Sequence, residues 1–262
     1  MNTTRKTGKV WLVGAGPGDP ELLTLKAVRA LASADVVLID ALANREVLVH
    51  AKPDVRVVDV GKRAGCRSTP QAFIEKLMVR FARAGANVAR VKGGDPFIFG
   101  RGGEEMLALR AAGIACEIIP GITSGIGAPA AIGIPVTHRE FSRGVTFVTG
   151  HTQSGEPNWH ALANSGTTLV IYMGISNLLR IQAQLIEAGM PATTPACAIE
   201  NGTLENSRHV ISRLSDLHAD VQRAGIGSPA ILVIGEVVSL ASHEAIFSRE
   251  WSSQEKINGI AA

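Results

Sequence analysis

Three glycine-rich strings hold the residues best placed to do chemistry. The densest, Val91-Lys92-Gly93-Gly94-Asp95-Pro96-Phe97-Ile98-Phe99-Gly100-Arg101-Gly102-Gly103-Glu104-Glu105, has five glycines in fifteen residues, with charges interleaved with aromatics. Paired glycines let backbone approach a ligand; Asp95 can bind hydroxyls or favour a cation, and Arg101 can grip a carboxylate through two parallel N–H donors. The plainer alternative makes Asp95 a helix N-cap and Arg101 a solvated loop residue. Upstream, Gly14-Ala15-Gly16-Pro17-Gly18-Asp19 ends an apolar run and Asp40 ends the next, where a dinucleotide fold keeps its phosphate loop and its ribose-binding acid. Position 19 is Asp, not the glycine that lets helix and strand pack closely, which counts against NAD and leaves an ordinary glycine turn as the alternative. In the third string, Pro120 to Pro129, Thr123 or Ser124 would cap a helix of small residues. Such a helix can lie against a flat organic ligand or simply pack tightly in the core.

Around these strings stands a chain of 262 residues with a formal net charge of +3, a mild excess that argues against a dedicated nucleic-acid surface. Glycine, at 28 residues, exceeds the usual ~7%, consistent with backbone brought close to a ligand. Cys66, Cys116 and Cys197 are odd in number and form no CxxC pair, and the histidines show no metal spacing, so neither a disulfide framework nor a metal site is expected. His138 and His151 read as cleft-lining or as structural histidines. Met1 to Lys9 is short and polar, without a secretory signal, which with the cysteines points to a reducing cytoplasm. The apolar stretch from Gly113 to Val136 is broken by Glu117, Pro120, Pro129 and Pro135, so no membrane span is expected.

The elements that must position these strings follow from periodicity. Lys9 to Val13, Ala34 to Ile39, Val55 to Val60, Asn87 to Val91 and Glu117 to Ile119 are short apolar runs that read as buried strands. Helices are predicted from Leu22 to Leu31, after Thr69-Pro70 with apolar positions Phe73, Ile74, Leu77, Met78 and Phe81, and from Glu104 to about Ala111, closed by Gly113. Strands alternating with helices indicate βαβ units and a mainly parallel sheet. Pro135 to Ser142 reads as a crossover. Beyond it, strands at Val145 to Val148, Thr168 to Met173, Ala196 to Glu200 and Ile231 to Val238, with helices near Leu178 to Ala188 and Leu214 to Arg223, make a second α/β unit. The expected division is 1–136 and 137–262.

The strings VGAGPGDPELLTLKA, VGKRAG, VKGGDPFIFGRGGEE, IPGITSGIG, GIPVTHRE, VTGH, YMG and AIENGT, in this order from about Val10 to Val238, resemble the tetrapyrrole methylase superfamily. Within it they are most similar to the uroporphyrinogen-III C-methyltransferases; the extended GGDPFIFGRGGEE string and Gly61-Lys62-Arg63 favour this branch over other precorrin methylases. The resemblance implies two α/β domains with S-adenosylmethionine held in the cleft between them, a homodimer, and methylation of uroporphyrinogen III at C2 and C7 through precorrin-1 to precorrin-2, which feeds sirohaem, cobalamin and haem d1. Some relatives carry a fused dehydrogenase and chelatase module; no such length remains here, so the expected product is precorrin-2. The family's cofactor contacts fall on Pro17, Gly93, Gly94, Asp95, Ile98, Thr123, Ser124, Met173 and Gly202. Its proton acceptor falls on Asp40 and its proton donor on Lys62.

The chemistry sets requirements of its own. A pyrrole carbon attacking a sulfonium methyl needs alignment more than a covalent nucleophile, and no metal. The ring must then lose a proton; Asp40 or Glu104 suits that task better than Arg101, whose pKa lies above about 12. A substrate bearing eight carboxylates needs cations, and Lys62, Arg63, Arg67, Arg101, Arg139 and Arg143 lie beside the motifs. Arg63, Arg101 and Arg139 are the expected substrate contacts. Three other readings stand beside this one: a related methylase with a different substrate, an NAD(P)-dependent oxidoreductase, and a non-catalytic binding module.

Overall fold

The computed structural model describes residues 7–61, 69–151 and 155–241. Lys62, Arg63, Cys66 and Arg67 lie outside the described residues.

The first five apolar runs form one sheet: β1 (Val10–Gly14), β2 (Val36–Ile39), β3 (Arg56–Asp59), β4 (Val88–Lys92) and β5 (Cys116–Ile119). All neighbours run parallel, in the order β3-β2-β4-β1-β5. Every residue of the three central strands is buried, since helices cover both faces; this is why they read as unbroken apolar runs without alternation. On one face α1 (Leu25–Ser33) contributes Ala27, Ala30 and Leu31, and on the other α2 (Gln71–Arg83) and α3 (Gly102–Ala111) contribute Ile74, Met78, Ala82 and Leu109. Each large aliphatic side chain so buried contributes about 1.5–3 kcal/mol. Helix α1 starts three residues later than its periodicity suggests because Thr24 caps it, accepting the Ala27 N–H, while Pro20–Leu22 forms a separate 3-10 turn. Helix α3 ends as expected: Gly113 adopts φ +71°, and the N–H groups of Gly113 and Ile114 return to the carbonyls of Arg110 and Leu109.

The remaining chain builds α4 (Ser124–Ala131), β6 (Val145–Thr149), α5 (Trp159–Ala163), β7 (Thr168–Tyr172), α6 (Leu178–Glu187), β8 (Pro195–Glu200), β9 (Arg208–Arg213), α7 (Leu217–Ala224) and β10 (Ala230–Ile234). The second sheet has the order β6-β7-β10-β8-β9, and here only β6 and β7 pair in parallel. One strand of this sheet was not expected, and one expected strand is shorter than its apolar run. Strand β9 is an edge strand whose residues are mostly exposed, so it lacks an apolar signature. The run predicted to reach Val238 stops at Ile234, because Gly235 at φ +146° turns the chain into a 3-10 turn over Glu236–Leu240.

One face of the second sheet packs on α5, α6 and α7; the other packs on Ala128 of α4 and on Ile132 and Ile134 just beyond it. The intervening segment folds into a loop closed by paired backbone hydrogen bonds between His138 and Ser142. Among the described residues no helix is long and apolar enough to cross a membrane. Cys116 and Cys197 are free thiols, and burial pushes them up to about 11 and about 12, too high for a thiolate nucleophile at neutral pH.

Candidate active site

Adjacent strands β1 and β4 send their chains to helices on opposite faces of the first sheet, α1 on one and α3 on the other. That reversal opens a crevice at the carboxyl ends of the strands, where parallel sheets bind ligands. All three glycine strings meet there. The Gly94 N–H donates to the Gly16 carbonyl at 2.6 Å and the Gly16 N–H to the Gly94 carbonyl at 3.2 Å. A Cβ on Gly14 would lie 2.5 Å from the Gly121 nitrogen, and one on Gly121 would lie 2.3 Å from the Gly94 oxygen, so this convergence requires glycine. Gly94 is glycine for another reason: its φ is +64°, and a Cβ there would meet nothing closer than 3.6 Å, at Thr123 and Ser124. Asp95 ties the strings together, its two oxygens accepting the N–H groups of Phe97 at 2.8 Å and Gly121 at 3.1 Å. It is not the N-cap of α3, which begins seven residues later at Gly102.

The dinucleotide reading fails on geometry. Helix α1 starts at Leu25, past the first glycine string and a separate 3-10 turn, so the helix that follows β1 does not present its N-terminus to that loop as pyrophosphate binding requires. Pro17 instead packs on α4, where a Cβ on Gly127 would come within 2.7 Å of it. Asp19 caps the 3-10 turn through the Glu21 N–H, and its own N–H donates to Thr203 in the loop after β8.

The second half closes the crevice. Five described non-glycine residues adopt positive φ, namely Phe99, Arg101, Met173, Asn201 and Thr203, and all lie on loops leaving β4, β7 and β8. Backbone held in this region is strained and gathers at ligand sites. Met173 is half-exposed beside Tyr172; Gly202 packs so closely on α4 that a Cβ would sit 2.2 Å from that of Ala128. Ile98 joins the apolar cluster containing Tyr172 and Ala128, and the Phe99 and Tyr172 rings lie 4.9 Å apart. Thr123 occupies the N-cap position of α4, yet its hydroxyl does not cap. It bonds the Tyr172 hydroxyl at 2.6 Å, and that phenol accepts the Gly125 N–H at 2.8 Å, so Tyr172 caps α4 from the other sheet. Burial pushes the Tyr172 phenol up from its ordinary value. The nine expected cofactor contacts thus flank one crevice, six of them from the two glycine strings and the start of α4, Ile98 between, and Met173 and Gly202 opposite.

Bare glycine backbone supplies donors and acceptors for a ribose and an amino-acid end, and the half-exposed side chains of Phe97, Phe99, Ile126 and Met173 offer apolar cover for a purine. The residues present therefore fit S-adenosylmethionine. Among the described residues no group of His, Cys, Asp or Glu could hold a metal ion.

Of the candidate catalytic residues, Asp40 follows β2 with its side chain 35% exposed; Oδ2 accepts from Arg90 Nη2 at 3.2 Å and Oδ1 from the Ala41 N–H at 2.9 Å. Arg101, expected to be free for a substrate carboxylate, already pairs with Glu104, which accepts from its Nη2 at 2.5 Å. That hydrogen bond raises the Arg101 pKa and holds the Glu104 carboxyl below its usual range, so Arg101 is no base and Glu104 a weakened one. Arg139 is exposed on the loop closed by His138 and Ser142 and Arg143 is exposed just beyond it, and neither has an acidic partner among the described residues. His138 Nδ1 accepts the Glu140 N–H, and its ring lies 4.8 Å from that of Phe141. His151 is exposed, its N–H donating to Thr149.

Two features escape a reading of motifs: the Tyr172 hydroxyl and a buried set of charges comprising Arg90, Lys92 and Glu105. The signal for the second was present, since residues 90 and 92 share one face of a strand.

Residues 9–218 match the family described as Tetrapyrrole (Corrin/Porphyrin) Methylases. A uroporphyrinogen-III C-methyltransferase of Pseudomonas aeruginosa is 60% identical over 232 residues, 88% of this chain and 94% of that protein. Another, of Pseudomonas fluorescens, is 54% identical over 242 residues, 92% of this chain and 97% of that one. Among solved structures, the uroporphyrin-III C-methyl transferase from Thermus thermophilus complexed with S-adenyl homocysteine is similar with a TM-score of 0.75 and 41% identity, over 88% of this chain and 99% of that one. Because the match runs through both sheets, from the approach to β1 to the start of α7, the chain belongs to the tetrapyrrole (corrin/porphyrin) methylase family.

Proposed function

We propose that this chain transfers methyl groups from S-adenosylmethionine to C2 and C7 of uroporphyrinogen III, forming precorrin-1 and then precorrin-2. The observation that carries this reading is the glycine-walled crevice at the strand reversal, in a chain 41% identical to a methyltransferase solved with S-adenyl homocysteine. Pro17, Gly93, Gly94, Asp95, Ile98, Thr123, Ser124, Met173 and Gly202 would hold the cofactor, whose contribution when bound is an electrophilic sulfonium methyl. The chain's own work is alignment and proton management. The carbon that takes the methyl group becomes quaternary and carries no hydrogen, so Asp40 accepts the proton that the methylated macrocycle loses from another of its atoms, and Lys62 serves as donor. Glu104 is the weaker candidate because Arg101 stabilises its ionised form.

Cations receive the substrate. Arg101 and Glu104 form an exposed pair of a kind worth at most about 1 kcal/mol, so a tetrapyrrole bearing eight carboxylates can take the guanidinium from Glu104 at little cost. Arg63 and Arg139 supply further contacts, with Arg143 just beyond the loop that carries Arg139. We place the domain boundary near residue 136, beyond α4, and assign the chain to a cytoplasmic homodimer.

The test is an anaerobic incubation with labelled S-adenosylmethionine and uroporphyrinogen III, read by mass spectrometry of the tetrapyrrole. Two added methyl groups are expected. Intact S-adenosylhomocysteine binding with no methylation of this substrate would reassign the crevice to another tetrapyrrole.

A further inference from the structure

Arg90 interrupts a layer that is otherwise apolar. Its register partners on both neighbouring strands, Leu12 of β1 and Leu38 of β2, are wholly buried. A leucine at position 90 would continue that layer, yet the chain buries a guanidinium with 2% of its side chain exposed, and two residues on along the same face an ammonium with 4%. Buried ion pairs are weak sources of stability, since apolar replacements of similar volume are often neutral or better. The charges therefore call for another reason.

The hydrogen bonds supply one. Glu105, wholly buried in the first turn of α3, accepts at Oε1 from Arg90 Nε at 3.0 Å, from Lys92 Nζ at 3.3 Å and from Gln71 Nε2 at 3.2 Å. With Nε so fixed, the other edge of the guanidinium donates through Nη1 to the Val91 carbonyl and through Nη2 to Asp40 Oδ2, both at 3.2 Å. Asp40 alone among the four charged groups has substantial exposure, and its second oxygen is held by the Ala41 N–H. Its loop borders the crevice, for a Cβ on Gly93 would lie 2.9 Å from the carbonyl oxygen of Leu42.

We propose that Arg90, locked by Glu105, is a positioning residue that fixes the direction of the Asp40 carboxylate toward the crevice. Proton transfer from the methylated macrocycle demands a base within about 2.6–3.2 Å on a defined line, and a carboxylate held at both oxygens keeps its remaining lone pairs pointing one way. The inference rests on the reading of Asp40 as proton acceptor.

Arg90→Lys keeps the charge but loses the planar fork that spans Glu105 and Asp40. In the anaerobic methylation assay we expect kcat to fall about tenfold or more while KM for uroporphyrinogen III and S-adenosylhomocysteine affinity by calorimetry stay within about threefold, and Arg90→Lys added to Asp40→Asn to cost little beyond Asp40→Asn alone. Exchanging the buried charges together, Arg90→Met with Lys92→Met and Glu105→Leu, guards against misfolding because the one charge left without its partner, Asp40, is partly exposed to solvent. That variant should fold and bind S-adenosylhomocysteine but lose the same fraction of kcat. Wild-type kcat in either variant, with Asp40→Asn slow, overturns the positioning role and leaves Asp40 as the base. Wild-type kcat in Asp40→Asn overturns both.

Discussion

At the scale of single residues, the crevice depends on backbone more than on side chains. Gly94 has room for a Cβ, in ordinary contact with Thr123 and Ser124, but a left-handed φ of +64°. A left-handed L residue costs about 1–2 kcal/mol, and each ~1.4 kcal/mol is tenfold in affinity. Where binding must restore that left-handed backbone, Gly94→Val should leave a folded chain whose S-adenosylhomocysteine affinity drops about five- to thirtyfold by calorimetry; unchanged affinity would remove Gly94 from the site. Arg101 offers a contrasting test. Arg101→Ala should weaken tetrapyrrole binding about two- to fivefold, in keeping with an exposed charge contact, and flatten its dependence on salt. An unaltered salt slope would count against Arg101 as a substrate cation. Residue types were legible from the sequence here, but partners were not. That Asp95 binds two backbone N–H groups and Arg101 an intrachain carboxylate depends on contacts spanning 26 residues in one case and a single helical turn in the other, and spacing shows only the second.

At the scale of elements, the parallel sheet was readable because its central strands are buried on both faces, whereas β9 was not, being a mostly exposed edge whose sequence, RHVISR, neither alternates nor forms an apolar run. Strand direction in the second sheet was hidden for a different reason. Periodicity reports which side a residue faces, not which way its strand runs, and β8 and β9 form an antiparallel pair across the short loop holding Gly202. Helix α4 shows the same limit. Its small residues signalled close packing, and the partner is now evident: a Cβ on Gly125 would lie 2.3 Å from the Tyr172 hydroxyl. That hydroxyl is the cap of α4, supplied from β7. Tyr172→Phe should cost about 1–3 kcal/mol in urea unfolding, since it strands the Gly125 N–H and the Thr123 hydroxyl in a buried setting. A loss below about 0.5 kcal/mol would mean that water replaces the phenol.

At the scale of the whole molecule, the two sheets are joined by more than a linker. Helix α4 lies in the core of the second sheet while its preceding loop is woven into the glycine strings of the first. The two sheets should accordingly unfold as one. Trp11 reports from the core of the first and Trp159 from that of the second. With Trp251→Phe as background, adding Trp159→Phe or Trp11→Phe isolates each reporter. Their fluorescence transitions in urea should coincide; separate midpoints would show that the halves unfold independently. The mutual hydrogen bonds of Gly16 and Gly94 belong to the first sheet, but the loop before α4 packs against them and so carries this coupling into the life of the protein. A ligand seated between that pair and the expected contacts Met173 and Gly202 would touch ground held by both halves, so at a hundred times its dissociation constant it adds about 2.7 kcal/mol to the stability of the entire chain. Abundance of the methyl donor thereby sets how often the whole polypeptide opens to a protease, and a cell starved of that donor would shed the enzyme as well as its flux.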